Sequence, residues 1–162
     1  RIEKFIPPKK GRKHILYIIR ELLDFKPEST RTNVQCAIEY LTNVLKKRCT
    51  AFMLSDFIDE RDFQNALTIA NRKHDVVALQ VYDRRLEELP DVGLMKVKDA
   101  ETGHEQWIDT SSKALRNAHH EWWKARQQKL HDIFTHSNVD SVSVRTDQDY
   151  VKALLNLFAK RN

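Results

Sequence analysis

Residues 50–83 read TAFMLSDFIDERDFQNALTIANRKHDVVALQVYD. Two apolar runs of strand length, TAFMLS (50–55) and DVVALQVYD (75–83), stand at the two ends of this stretch. A continuous apolar run fits a strand buried on both faces, as in a parallel sheet. Between them Asp59 is placed to cap a helix with Phe63, Ala66, Leu67 and Ala70 inward. Strand, helix, strand is a βαβ unit, for which a right-handed crossover is expected.

Working outward, RIEKFI (1–6) alternates and stops at Pro7-Pro8, which predicts a strand. From Lys13 to Phe25 the residues Ile15, Leu16, Ile18, Ile19, Leu22 and Leu23 make a broad helical face, and Pro27 ends that helix. ESTRT (28–32) is a polar loop. Thr32 or Asn33 then caps a helix with Val34, Ala37, Ile38, Leu41 and Leu45 on one face. After Asp83, RRLEELPD (84–91) is a polar connection, and residues 92–110 form a hairpin turning in DAETG. Ser111 or Ser112 caps a long helix to about His136. VDSVSV (139–144) is a further strand, and Thr146 or Asp147 caps a last helix with Val151, Leu154, Leu155 and Phe158 inward. The sum is one α/β domain with a mainly parallel sheet and helices on both faces.

The totals agree with that class. The chain has 162 residues, 41% hydrophobic and 31% charged, enough for one globular core. No apolar run approaches the ~18 residues of a membrane helix, and no signal peptide is visible. Because RIEKFIPP starts without Met, the chain reads as part of a longer protein. Cys36 and Cys49 lack metal-ligand spacing and read as two buried free thiols, which favours a cytoplasmic setting. The formal charge of +5 raises nucleic-acid binding. However, the basic clusters KKGRK (9–13), KKR (46–48) and RKH (72–74) each fall where a helix starts or ends, and Lys and Arg in a last turn complement the helix dipole. No nucleic-acid partner is expected.

Ligands of open parallel sheets bind beyond the carboxyl ends of the strands. Asp56, Asp83 and the pair Thr146/Asp147 sit there. Asp56, at the mouth of an apolar strand, suits a hard cation such as Mg²⁺, although an Asp capping the following loop reads the same in spacing alone. There is no GxxxxGK[ST], GxGxxG or GxSxG. His119 and His120 point about 100° apart on a helix and cannot easily share a metal. Of the adjacent tryptophans, Trp122 is expected on the core and Trp123 over a groove or partner.

The ordered segments KFIPPKKGRKHILYIIRELL, TRTNVQCAIEYLTNVLKKR, FMLSDFID, HDVVALQVYD, ELPDVGLMKVKDAETG and TDQDYVKALLNLF resemble the carboxy-terminal part of a bacterial family, the MoxR-associated von Willebrand factor A-like proteins. The resemblance runs over nearly all of 1–162. It implies a three-layer Rossmann-like von Willebrand A-type fold, plus a small hairpin, lacking its first strands. RIEKFI would be the third strand of the complete sheet. The resemblance also implies a metal-ion-dependent adhesion site, built from a D-x-S-x-S loop, a Thr and an Asp. The Thr matches Thr32, in Arg31-Thr32-Asn33 where relatives often have Gly-Thr-Asp. The Asp matches Asp56. The D-x-S-x-S loop has no match, since DSVSV (140–144) is out of phase. Thr32 and Asp56 therefore form a partial site whose co-ligands lie upstream of this chain.

These features together imply a non-enzymatic protein-interaction module. It would use Mg²⁺ or a similar divalent cation in the complete protein, with none held tightly by this chain alone. Its expected partner is a MoxR-type AAA+ ATPase, and its exposed sheet edge invites self-association. The alternative is a Mg²⁺-dependent hydrolase or phosphotransfer enzyme using Asp56.

Overall fold

A computed structural model describes residues 1–29 and 31–161. The elements are helix α1 (Arg12–Asp24), α2 (Val34–Val44), strand β1 (Thr50–Ser55), α3 (Gln64–Lys73), β2 (Asp75–Tyr82), the single turn α4 (Arg84–Glu87), β3 (Leu94–Lys98), β4 (Glu105–Asp109), α5 (Lys113–His136), β5 (Asp140–Arg145) and α6 (Tyr150–Ala159). The polar loop expected at 28–32 includes Thr30, which lies outside the described residues.

The βαβ reading of 50–83 holds. β1 runs parallel to β2 with Thr50 opposite Asp75, and β5 adds parallel on the other side of β2 with Val77 opposite Asp140. The order is β1-β2-β5, and β3 and β4 form a separate antiparallel hairpin. The fold is thus α/β with a mainly parallel sheet. Alternation along β2 splits the core. Val76 and Ala78 face Ile38 of α2, Leu67 and Ala70 of α3, and Leu130, Ile133 and Phe134 of α5. Val77 and Leu79 face Leu157 and Leu154 of α6 on the opposite side. Arg161 then ties α6 back to the sheet, binding Asp75 at the start of β2 and Asp140 at the start of β5.

Several sequence expectations change. RIEKFI is not a strand. A strand needs a ladder partner, and these residues lie instead against α1 and α2. Glu3 accepts the Glu28 and Ser29 amides, and Phe5 meets Tyr40 edge-on at 5.7 Å. Among the described residues only β2 is buried on both faces. β1 is one of the two edge strands, and its Phe52 and Leu54 remain 44% and 68% exposed. The apolar face of α1 buries no residue. On α6, Leu157 is buried while Val151, Leu155 and Phe158 are exposed. Its cap is Asp149, since the Asp147 carboxylate is taken by the Arg145 guanidinium at 3.0 Å. Both cysteines are free but only part-buried.

The two tryptophans exchange roles. Trp123, Gln127, Leu130 and Phe134 recur at helical spacing along one stripe of α5. Trp123 is accordingly buried against Tyr82, while Trp122 is half exposed and carries Arg126 over its ring. Trp123→Ala should cost about 3–5 kcal/mol and Trp122→Ala under about 1 kcal/mol, read by urea unfolding. Equal costs would contradict this register.

His74 closes α3 fully buried, with Nδ1 3.5 Å from the Cys49 sulfur. Burial, reinforced by the positive charge of Lys73, pushes its pKa below the ordinary 6.5. The fold therefore favours the neutral imidazole over the charged one. Its contribution is complete above the unfolded pKa and is lost as pH falls below it. Stability should decline below about pH 6.5, and His74→Gln should flatten that part of the profile. An unchanged slope in the variant would contradict this assignment.

Candidate functional site

The carboxyl ends of the parallel strands gather the loops that carry the candidate residues. Crossing this end of the sheet, on the face under α5, is a polar row that opposes Ser55, Gln80 and Ser143 in register. Gln80 is 3% exposed among apolar neighbours, so its amide must be satisfied. It accepts from the Ser143 hydroxyl at 2.8 Å and donates to the Asp56 carbonyl at 3.3 Å. The row thus fixes where the chain leaves β1.

The exit from β1 is held tightly. Ser55 Oγ accepts the Phe57 amide at 3.0 Å, and Asp56 Oδ1 accepts the Ile58 amide at 3.0 Å. Phe57 has φ +54°, a left-handed conformation that is uncommon for a bulky residue. Its ring is buried between Phe63 and Phe134, with centroids at 6.2 and 5.2 Å. Arg126 of α5 donates to the Phe57 and Asp59 carbonyls at 3.2 and 3.4 Å. Strain at one residue is compensated by burial and two hydrogen bonds. The result leaves the Asp56 side chain exposed at the strand mouth.

The loop before α2 is clamped from several directions. The Thr32 amide donates to Glu101 Oε1 at 2.8 Å, and the Thr32 carbonyl accepts from Arg61 at 2.8 Å. The Val34 amide donates to Asp59 Oδ2 at 2.8 Å, and Asn33 caps the helix through the Cys36 amide at 2.9 Å. Asp59 was expected to cap α3. It closes α2 instead, and Asp62 accepts the first amide of α3, that of Gln64, at 2.9 Å. A backbone held at these groups presents the Thr32 hydroxyl in a fixed place. Thr32 and Ser55 line one cleft of about 510 Å³, between α2 and the open side of β1.

The remaining candidates serve the structure. Asp83 caps α4 through the Arg85 amide at 2.7 Å. Thr146 continues the β2–β5 contact by donating its amide to the Tyr82 carbonyl at 3.0 Å, and Asp147 pairs with Arg145. His120 meets the Glu87 carbonyl at 3.2 Å while His119 lies against Trp122, so the two do not converge.

Magnesium requires about six oxygens in near-octahedral array. Thr32 and Asp56 offer two donor groups, and one Asp56 oxygen already accepts an amide. Among the described residues no group of three or more His, Cys, Asp or Glu is placed to hold a metal ion.

Sequence reasoning passed over Gln80, Arg61, Arg126 and Glu101. Gln80 had a visible signal, a lone amide in the apolar run DVVALQVY. The other three act through contacts across 29 to 69 positions, and nothing local announces them.

The family model described as "Protein of unknown function DUF58" matches residues 1–129, and the chain belongs to this family. It is 29% identical over 160 residues to uncharacterized proteins of Mycobacterium bovis and Mycobacterium tuberculosis, a match covering 96% of this chain and 50% of each of theirs. An uncharacterized protein of Mycobacterium avium is 27% identical over 160 residues, covering 96% of this chain and 93% of its own. The chain thus spans about half the length of the first two relatives. No solved structure matches it. Among the described residues no helix is long and apolar enough to cross a membrane.

The two acids of DFIDE separate experimentally. The Asp59 side chain is 3% exposed and serves α2. Asp59→Ala should cost about 1–2 kcal/mol, whereas Asp56→Ala should cost under about 1 kcal/mol. Chemical denaturation of both variants measures this, and a larger loss for Asp56 would contradict the assignment.

Proposed function

We propose that this DUF58-family chain is part of a non-enzymatic protein-interaction module, with Thr32 and Asp56 as part of its contact site. One observation carries the reading: the Thr32 loop and the Asp56 exit are held rigid by Glu101, Arg61, Asp59, Gln80 and Arg126, yet Asp56 faces solvent. Rigid support around an exposed carboxylate suits recognition. The resemblance to MoxR-associated von Willebrand A-like proteins supports a divalent cation, Mg²⁺ or similar, in the complete protein. Thr32 and Asp56 would contribute two of the oxygen donors there. The cation would supply an open coordination position for an acidic group of the partner.

The partner in this reading is a MoxR-type AAA+ ATPase, acting in the assembly or maturation of other proteins in the cytoplasm. The ATPase supplies the nucleotide chemistry. The open edge of β1 is the surface through which the chain would pair with another chain. An enzyme using Asp56 for phosphotransfer is the second reading. Its support is the position of Asp56 at a strand end, where α/β folds place ligands.

Capture of a MoxR-type ATPase by the complete protein, with Asp56→Ala as the comparison, tests the proposal. Binding should be Mg²⁺-dependent and fall at least about tenfold in the variant, a loss of about 1.4 kcal/mol. Equal capture by a folded Asp56→Ala protein contradicts it. Asp56-dependent hydrolysis of a phosphate ester would favour the enzyme reading instead.

A further inference from the structure

The contact between Glu101 and Thr32 joins residues 69 positions apart, from the tip of the β3–β4 hairpin to the loop before α2. An isolated two-stranded hairpin is marginal in water, so a side chain at its tip is placed reliably only if the hairpin is fixed elsewhere. This one is fixed at its base. Thr110 is fully buried; its hydroxyl donates to the Gly93 carbonyl at 2.7 Å and accepts the Val92 amide at 3.1 Å. Gly93 takes φ +76°, a conformation glycine adopts without strain. Arg116 of α5 donates to the Thr110 and Ser111 carbonyls at 2.5 and 3.0 Å and pairs with Asp91 at 3.0 Å.

The tip carries its own hydrogen bonds. Asp99 Oδ1 accepts the Glu101 and Thr102 amides at 2.9 and 2.6 Å. Hydrogen bonds from Thr102 lead the causes that hold the Asp99 carboxyl below the usual carboxylate range. Gly103, at φ +72°, turns the chain so that its amide reaches the Asp99 carbonyl at 2.9 Å. The segment 88–103, ELPDVGLMKVKDAETG, therefore contains much of an arm that is hydrogen-bonded at base and turn and carries Glu101 at its tip.

We propose that Glu101 is the positioning residue of the candidate site, and that the β3–β4 hairpin is a strap that holds the Thr32 loop in its presenting conformation. The carboxylate accepts the Thr32 amide on one side of the loop while Arg61 donates to the Thr32 carbonyl on the other. Removing the strap releases the Thr32 amide while leaving Arg61 on the Thr32 carbonyl and α2 capped by Asn33 and Asp59. The inference rests on Thr32 being a site residue, but the contact itself is measurable on this chain without metal or partner.

Amide hydrogen exchange by NMR on the 162-residue chain tests it, with Glu101→Ala, Glu101→Gln and Asp99→Ala as variants. Loss of a charge-assisted acceptor should speed Thr32 exchange at least about tenfold in Glu101→Ala. Glu101→Gln keeps an acceptor oxygen at the same reach and should stay within about threefold of the parent. Asp99→Ala, which does not touch the loop, should speed Thr32 exchange by loosening the turn. The Val97 and Gln106 amides should be unchanged in the Glu101 variants. Unaltered Thr32 exchange in Glu101→Ala overturns the proposal. So does equal acceleration throughout the hairpin, which would make Glu101 a general stabiliser of the arm. If these results appear but ATPase capture fails, the positioning role stands and the partner assignment falls.

Discussion

Among the described residues β2 is the one strand hydrogen-bonded on both sides, and it is apolar on both faces from Val76 to Leu79. The rest of the structure depends on that constraint. Its peptide groups lie away from water and need a ladder on each side. Its two faces then need helices, which the chain supplies as α2, α3 and α5 on one and α6 on the other. Arg161 closes the arrangement by binding acids at the starts of two strands.

At the other end of the same strand the requirement changes from apolar to polar. Gln80 is buried where the β1–β2 ladder ends, and its amide links Ser143 of β5 to the Asp56 carbonyl just beyond β1. Satisfying one buried amide therefore positions the exit of β1. Phe57, Arg126 and Asp59 extend the order to the start of α2. The candidate site is in this sense an outgrowth of how the core ends. Thr32 and Asp56 sit on loops, but those loops are held by side chains from α5, the β3–β4 hairpin and the segment before α3.

Much of the architecture was legible in the sequence, because periodicity reports burial. TAFMLS, DVVALQVY and the helix between them declare a βαβ unit, and DAETG between two short alternating runs declares a hairpin. The misreadings share a cause. RIEKFI alternates as a strand does, but alternation does not provide a ladder partner. Trp122 and Trp123 differ by one helical position, and only the stripe through Leu130 and Phe134 decides which faces inward. Asp59 stands near a helix start in sequence but serves a different helix in space. The positions of Thr32 and Asp56 came from resemblance to a family pattern. Their supports, Glu101 and Arg61, carry no local signal, since each is an ordinary charged residue until the fold brings it to the loop.

A rigidly held Thr32 loop is the central claim, and native-state hydrogen exchange on the unmodified chain addresses it most directly. With the Thr32 and Val34 amides bound to Glu101 and Asp59, both should exchange far more slowly than open loop amides, approaching the protection of the sheet. Exchange of these two amides at the rate of unstructured peptide, with β2 still protected, would contradict the account.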